Sequence, residues 1–150
     1  MNISDSFSEI IKYSHFWKWA PDWGVVQEIY ESFPNSYSVL SPFAYSYLEE
    51  LIRSQTSDYA PSRDENGNLK KHKVSLQLIN LAISENQPRS DEYIQILEEI
   101  KVYFSSSTFY DVGDNRHSVA HGYMHPRFWD KESFAKLIYD IARLSKFSGF

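Results

Sequence analysis

The chain has no cysteine at all. That excludes disulfide staples, thiolate metal sites and a cysteine nucleophile, and it removes the usual mark of an oxidising compartment. Long hydrophobic runs are missing too: no apolar stretch approaches the ~20 residues needed to cross a bilayer. The first residues, Met1-Asn2-Ile3-Ser4-Asp5-Ser6, show no basic region followed by an apolar run, so no secretory leader is expected. Together these absences make a cytoplasmic chain without a membrane partner the expectation. An excess of positive charge is also lacking, since 15 basic side chains face 20 acidic ones, for a net −5. Such a balance argues against a protein that grips long nucleic acid over its whole surface, while leaving room for a small local basic site.

What the chain does have is length and rings. Its 150 residues suit one domain, 1–150, able to bury a core unaided. Four Trp, eleven Tyr and ten Phe point to a core built from large aromatics. Base-stacking platforms would be interleaved with Lys and Arg, and most of these rings are not. Trp17, Trp19 and Trp23 gather around Pro21 and suggest core or dimer packing.

Apolar residues recur with helical spacing. Phe7, Ile10, Ile11 and Ser14 form a first stripe, with Ser4 or Ser6 as the expected cap, and Pro21 breaks it. A second short helix is expected from Asp22, carrying Val26, Ile29, Tyr30 and Phe33, and Pro34-Asn35 ends it. Ser41-Pro42 reads as the start of a third, because serine caps free amides and proline fits the first helical position; Ala44, Tyr47, Leu48 and Leu51 follow. Residues 54 to 70 are polar, contain Pro61 and Gly67, and have no period, so they read as a long loop. From Val74 to Ile83 the chain is apolar on most sides, which places that helix in the middle of a bundle. Ser90-Asp91-Glu92 opens another helix with Tyr93, Leu97, Ile100 and Phe104 in line. The last starts at Asp130 and carries Phe134, Leu137, Ile138, Ile141 and Leu144. No strand alternation and no internal repeat is visible. The predicted fold is all-α: a helical bundle of four to five main helices plus short extra ones.

Chemistry concentrates between the last two long helices, in Asn115-Arg116-His117-Ser118-Val119-Ala120-His121-Gly122. Asp114 is placed to cap a short helix here, with Asn115 to Ser118 as its first turn, and Gly122 is a natural stop. His117 and His121, four apart, share a face. Arg116 and His121 lie about 140° apart around the axis, so a long arginine must curl toward a group bound near His121, or meet a histidine of a second chain. Arginine is a permanent cation with a planar fork suited to phosphate, and histidine exchanges a proton near neutral pH. Those two groups suffice to cleave RNA without metal: a base takes the 2′-hydroxyl proton, and a cation stabilises the pentavalent phosphorus.

This segment resembles the HEPN superfamily of helical-bundle ribonucleases, whose signature is Arg, a polar residue, three more residues and His. Here that is Arg116, His117, Ser118-Val119-Ala120 and His121, preceded by Asn115, followed by Gly122 and set before a C-terminal amphipathic helix. The motif covers about eight residues; over the rest of the chain the likeness is one of architecture. The resemblance implies an HEPN-like bundle in which Arg116 and His121 are the catalytic pair and His117 and Asn115 support the site or touch RNA. It implies a homodimer with two motifs facing one cleft, RNA as substrate, and cleavage without cofactor or metal. It further implies a toxin or antiphage defence effector. Some toxin members carry Arg-x4-His-x-Tyr, with the tyrosine modified by a nucleotidyltransferase-type antitoxin; Arg116, His121 and Tyr123 match that form.

Other readings compete. A non-catalytic relative would serve as an RNA-binding or protein-interaction module, which suits the net negative charge. His117, His121 and His125 also spell His-x3-His-x3-His, a spacing that suits zinc, although Pro126 tends to pull His125 off the helical face. Lys70-Lys71-His72-Lys73 is the one basic run, with Arg63 in the loop before it. It sits at the positive end of the helix that follows, where cations cost a little, so holding RNA phosphates is a second expected role beside solvation.

Overall fold

A computed structural model describes residues 2–15, 18–106, 110–121 and 126–148, with Arg127 described by its backbone alone. The described residues form an all-α bundle, 66% of them helical. Its helices are α1 (Ile3–Tyr13), α2 (Ala20–Ser32), α3 (Tyr37–Arg53), α4 (Ser75–Asn86), α5 (Asp91–Ile100), α6 (Arg116–His121) and α7 (Lys131–Ser145). Two 3-10 turns, Lys101–Phe104 and Pro126–Phe128, lie on either side of α6. Among the described residues no helix is long and apolar enough to cross a membrane.

Caps explain where several helices begin. Ser90 accepts from the Tyr93 amide at 3.4 Å and Asp130 from the Ser133 amide at 2.6 Å, so α5 and α7 start where the sequence places them. Helix α1 is capped by Asn2, whose Oδ1 accepts from the Asp5 amide at 2.8 Å, and not by Ser4 or Ser6, which lie inside it. Helix α2 begins at Ala20, with Pro21 in its first turn, so the proline opens this helix and is not merely the end of the one before; Phe33, expected on its apolar face, is 67% exposed. Nor does α3 start at Ser41-Pro42. It starts at Tyr37 and runs through the proline. Ser41 and Ala44 are both buried, and packing on both sides of Pro42 outweighs the loss of its one amide donor. The Ser41 hydroxyl donates to the Tyr37 carbonyl at 2.7 Å.

The core runs along α3 and α7. Helix α7 packs against α1, α3 and α5, and α2 against α1. Tyr47, Leu48, Leu51 and Ile52 of α3 meet Phe134, Leu137, Ile138 and Ile141 of α7 in one cluster, each at most 1% exposed. Trp23 sits edge-on to Tyr47 at 4.9 Å and to Phe43 at 5.1 Å, and Trp19 joins the same cluster at 5.4 Å from Tyr47. These rings are core, as their paucity of cationic neighbours suggests; Trp17 lies outside the described residues. Helix α4 corrects an expectation. It is peripheral: Leu78, Ile79, Ala82 and Ile83 are buried against its neighbours while Leu76 is 42% exposed. The apolar run is broader than the face that packs.

The polar segment between α3 and α4 is ordered around a bridge between Arg63 and Leu69, with Gly67 at φ +80° in its turn. The chain then returns as a strap with no regular secondary structure, residues 70–74, tied to the end of α3. The strap's Lys73 amide donates to Asp58 at 2.7 Å, and Arg53 Nη2 donates to the Lys73 carbonyl at 2.7 Å.

Candidate functional site

Helix α6 lies against α3 and the 3-10 turn Lys101–Phe104. It buries Ser118 and Val119. Its cap is Asn115 and not Asp114: Asn115 Oδ1 accepts from the Ser118 amide at 3.0 Å. Asn115 Nδ2 donates to the Ser105 carbonyl at 2.7 Å, and the residue is only 3% exposed. Asn115 therefore fixes where α6 begins, and both ends of its amide face the protein. Asp114 bonds upstream instead, accepting from the Val112 amide at 3.4 Å.

The loop that delivers α6 is held from three directions. Asp130 donates its amide to the Val112 carbonyl at 2.7 Å. Tyr45 donates its hydroxyl to the Gly113 carbonyl at 3.1 Å. Gly113 has φ +91°, and a Cβ there would stand 2.8 Å from Trp129 Cβ; only glycine meets both conditions. Burial, aided by the negative charges of Asp114 and Asp111, pushes the Tyr45 phenol well above its ordinary pKa, so it remains a donor. Tyr45 in turn meets Tyr103 edge-on at 5.9 Å. Tyr103 donates to the buried Asp140 at 2.6 Å, and Lys136 reaches both, at 3.0 and 2.9 Å. Burial, followed by the Asp140 charge, also raises Tyr103. The floor under the loop is thus a satisfied polar network.

Arg116 turns toward α3. Its Nε lies 2.7 Å from Glu49 Oε1, and its Nη2 donates to Glu49 Oε2 at 3.3 Å. The Arg116 side chain is 22% exposed and that of Glu49 10%. Glu49 is the residue that reading the sequence missed. The signal was a lone acid in the buried series Tyr45, Glu49, Ile52, spaced i, i+4, i+7, since a carboxylate at an apolar position needs a partner. A pocket of about 90 Å³, room for a few waters, lies beside the pair between Pro42, Tyr45, Ser46, Glu49, Arg116, Val119 and Ala120.

The two histidines stand on another side of the helix. The His117 and His121 rings are 4.4 Å apart between centroids and tilted by 53°; His117 is half-buried and His121 exposed. The expectation that they share a face holds. Arg116 and His121 are not brought to one point within the chain, because one faces α3 and the other faces outward. Gly122, Tyr123 and His125 lie outside the described residues, and so do the modification-site and third-histidine readings. Among the described residues no set of three His, Cys, Asp or Glu side chains is placed to hold a metal ion.

The chain matches no family model, no curated protein and no solved structure.

Proposed function

We propose that the chain is a metal-independent endoribonuclease of HEPN type, acting as a toxin or antiphage effector at a cleft formed by two copies of α6. The observation that carries this reading is the His117–His121 pair on the outer face of α6, with Arg116 fixed on its flank. His121 takes the proton of a ribose 2′-hydroxyl. The freed oxygen attacks the adjacent phosphorus, the bond to the 5′-oxygen breaks, and a second imidazole returns a proton to that leaving oxygen. The products are a 2′,3′-cyclic phosphate and a 5′-hydroxyl. Arg116 stabilises the extra negative charge on phosphorus. Its Nε and Nη2 lie on Glu49, so the remaining Nη1 edge is what it offers to a phosphate. The reading calls for a homodimer, in which the flank of one α6 meets the outer face of another. An antitoxin that modifies Tyr123 belongs to this reading as its natural partner.

The test is incubation with RNA in excess EDTA. Cleavage that leaves cyclic phosphate ends and disappears in His121→Ala supports the proposal; His121 is exposed, so the variant should fold. Cleavage that survives in His121→Ala removes α6 from the chemistry. The Arg116–Glu49 pair favours a second reading, a non-catalytic RNA- or protein-binding module, because a guanidinium already matched by a carboxylate is a weaker electrophile. That module binds without cutting, and induced expression of the wild type then leaves cell growth unchanged.

A further inference from the structure

We infer that the strap at Lys70, Lys71 and Lys73, with the groove beside it on α4, is a binding site for the phosphodiester backbone of single-stranded RNA, separate from α6. The choice of RNA over other polyanions rests on the ribonuclease reading. The site itself rests on charge and shape.

Most cations of this acidic chain already have a partner. Lys101, Lys136 and Lys146 meet carboxylates at 2.8, 2.9 and 2.6 Å. Lys12 and Lys131 lie over tyrosine rings. Arg53, Arg116 and Arg143 each pair with acids. The Lys70, Lys71 and Lys73 side chains have no such partner among the described residues, and all three are exposed. Lys18 shares that condition, but it stands alone in the sequence. Three unpaired cations in four residues are costly in self-repulsion unless an anion joins them.

The strap is not slack. Arg53 and Asp58 hold the Lys73 backbone from both sides, the Lys70 amide donates to the Ser62 carbonyl at 2.8 Å, and His72 Nδ1 lies 3.4 Å from Asp58. Fixing the backbone presents the lysines as a set. Beside them runs an open groove of about 820 Å³, lined by Lys71, His72, Lys73, Gln77, Asn80 and Leu81. No carboxylate lines it. The ammonium groups suit phosphate oxygens. The Gln77 and Asn80 amides, one turn apart, both donate and accept and so suit base edges. Arg53, which anchors the strap, follows Glu49 by four residues on α3, about 6 Å along the axis. Strap and catalytic helix therefore hang from consecutive turns of one helix.

The test is fluorescence anisotropy with a labelled 2′-O-methyl oligoribonucleotide, which has RNA's phosphates but cannot be cleaved through a 2′-hydroxyl. Wild type is compared with Lys70→Gln/Lys71→Gln/Lys73→Gln and with Lys12→Gln/Lys101→Gln/Lys146→Gln, which removes the same charge elsewhere. The strap variant is expected to bind about tenfold more weakly or worse, with the slope of log K against log salt flatter by about 2. The control variant should stay close to wild type. Equal weakening in both variants, no weakening in either, or no binding by wild type overturns the proposal. Cleavage lost in His121→Ala while the strap variant binds like wild type sinks the strap alone. Strap-dependent binding with no cleavage sinks the ribonuclease reading alone.

Discussion

At the scale of single residues, the pairing of Arg116 with Glu49 decides how the candidate site behaves. Breaking a buried pair from one side costs more than removing both partners, because the survivor keeps its desolvation penalty. Arg116→Ala leaves a carboxylate whose side chain is 10% exposed, whereas Glu49→Ala leaves a guanidinium at 22%. Arg116→Ala should therefore be the more damaging, at about 3 kcal/mol against about 2 for Glu49→Ala. The double substitution should cost less than the sum of the two, with a coupling of about 1–2 kcal/mol. Urea unfolding of the four proteins measures this cycle. Additive losses would mean that the two side chains do not interact in solution, and Arg116 would then be at liberty to serve phosphate fully.

At the scale of elements, three glycines separate the forces that place α6. Gly113 combines φ +91° with a Cβ position 2.8 Å from Trp129 Cβ; Gly67 has φ +80° and open space; Gly24 lies inside α2 with nothing within 4 Å. Gly24→Ala should stabilise by about 0.5–1 kcal/mol through helix propensity. Gly67→Ala should cost about 1 kcal/mol for its backbone alone. Gly113→Ala should cost about 2–3 kcal/mol, because backbone strain and overpacking act together. Thermal melts rank the three. If Gly113→Ala matched Gly67→Ala, Trp129 would not be clamping the loop. The same elements show what was legible in the sequence. The starts of α5 and α7 were readable because Ser90 and Asp130 bond to amides three residues on. The start of α3 was not, because burial of Ser41 and Ala44 carries the helix through Pro42, and burial is not a local property. The α6 segment was readable by composition and spacing, and the close approach of the His117 and His121 rings follows from their separation of four. Its orientation was hidden, since Glu49 lies 67 residues from Arg116 and Tyr45 lies 68 from Gly113.

At the scale of the whole molecule, the aromatic richness that the composition announces becomes a liability in alkali. Tyr45, Tyr47, Tyr93 and Tyr103 are all buried, and burial is the largest cause raising each phenol above the ordinary value of 10.0. Below that value the phenols are protonated whether the chain is folded or not, and they leave stability independent of pH. Above it the unfolded chain releases protons that the folded chain retains, so rising pH favours unfolding. Each phenol contributes about 1.4 kcal/mol per pH unit in that window, hence about 5–6 kcal/mol per unit for four. Total stability for a domain of this kind is about 5–15 kcal/mol. The bundle is therefore expected to unfold cooperatively within about one to three pH units above 10, where helical circular dichroism and the tyrosinate absorbance of these four phenols should change together. If these four phenols ionised near 10 while the helices persisted, their rings would be open to water. The same titration with Tyr47→Phe/Tyr93→Phe, which removes two of the four, should roughly halve the slope and move the transition upward.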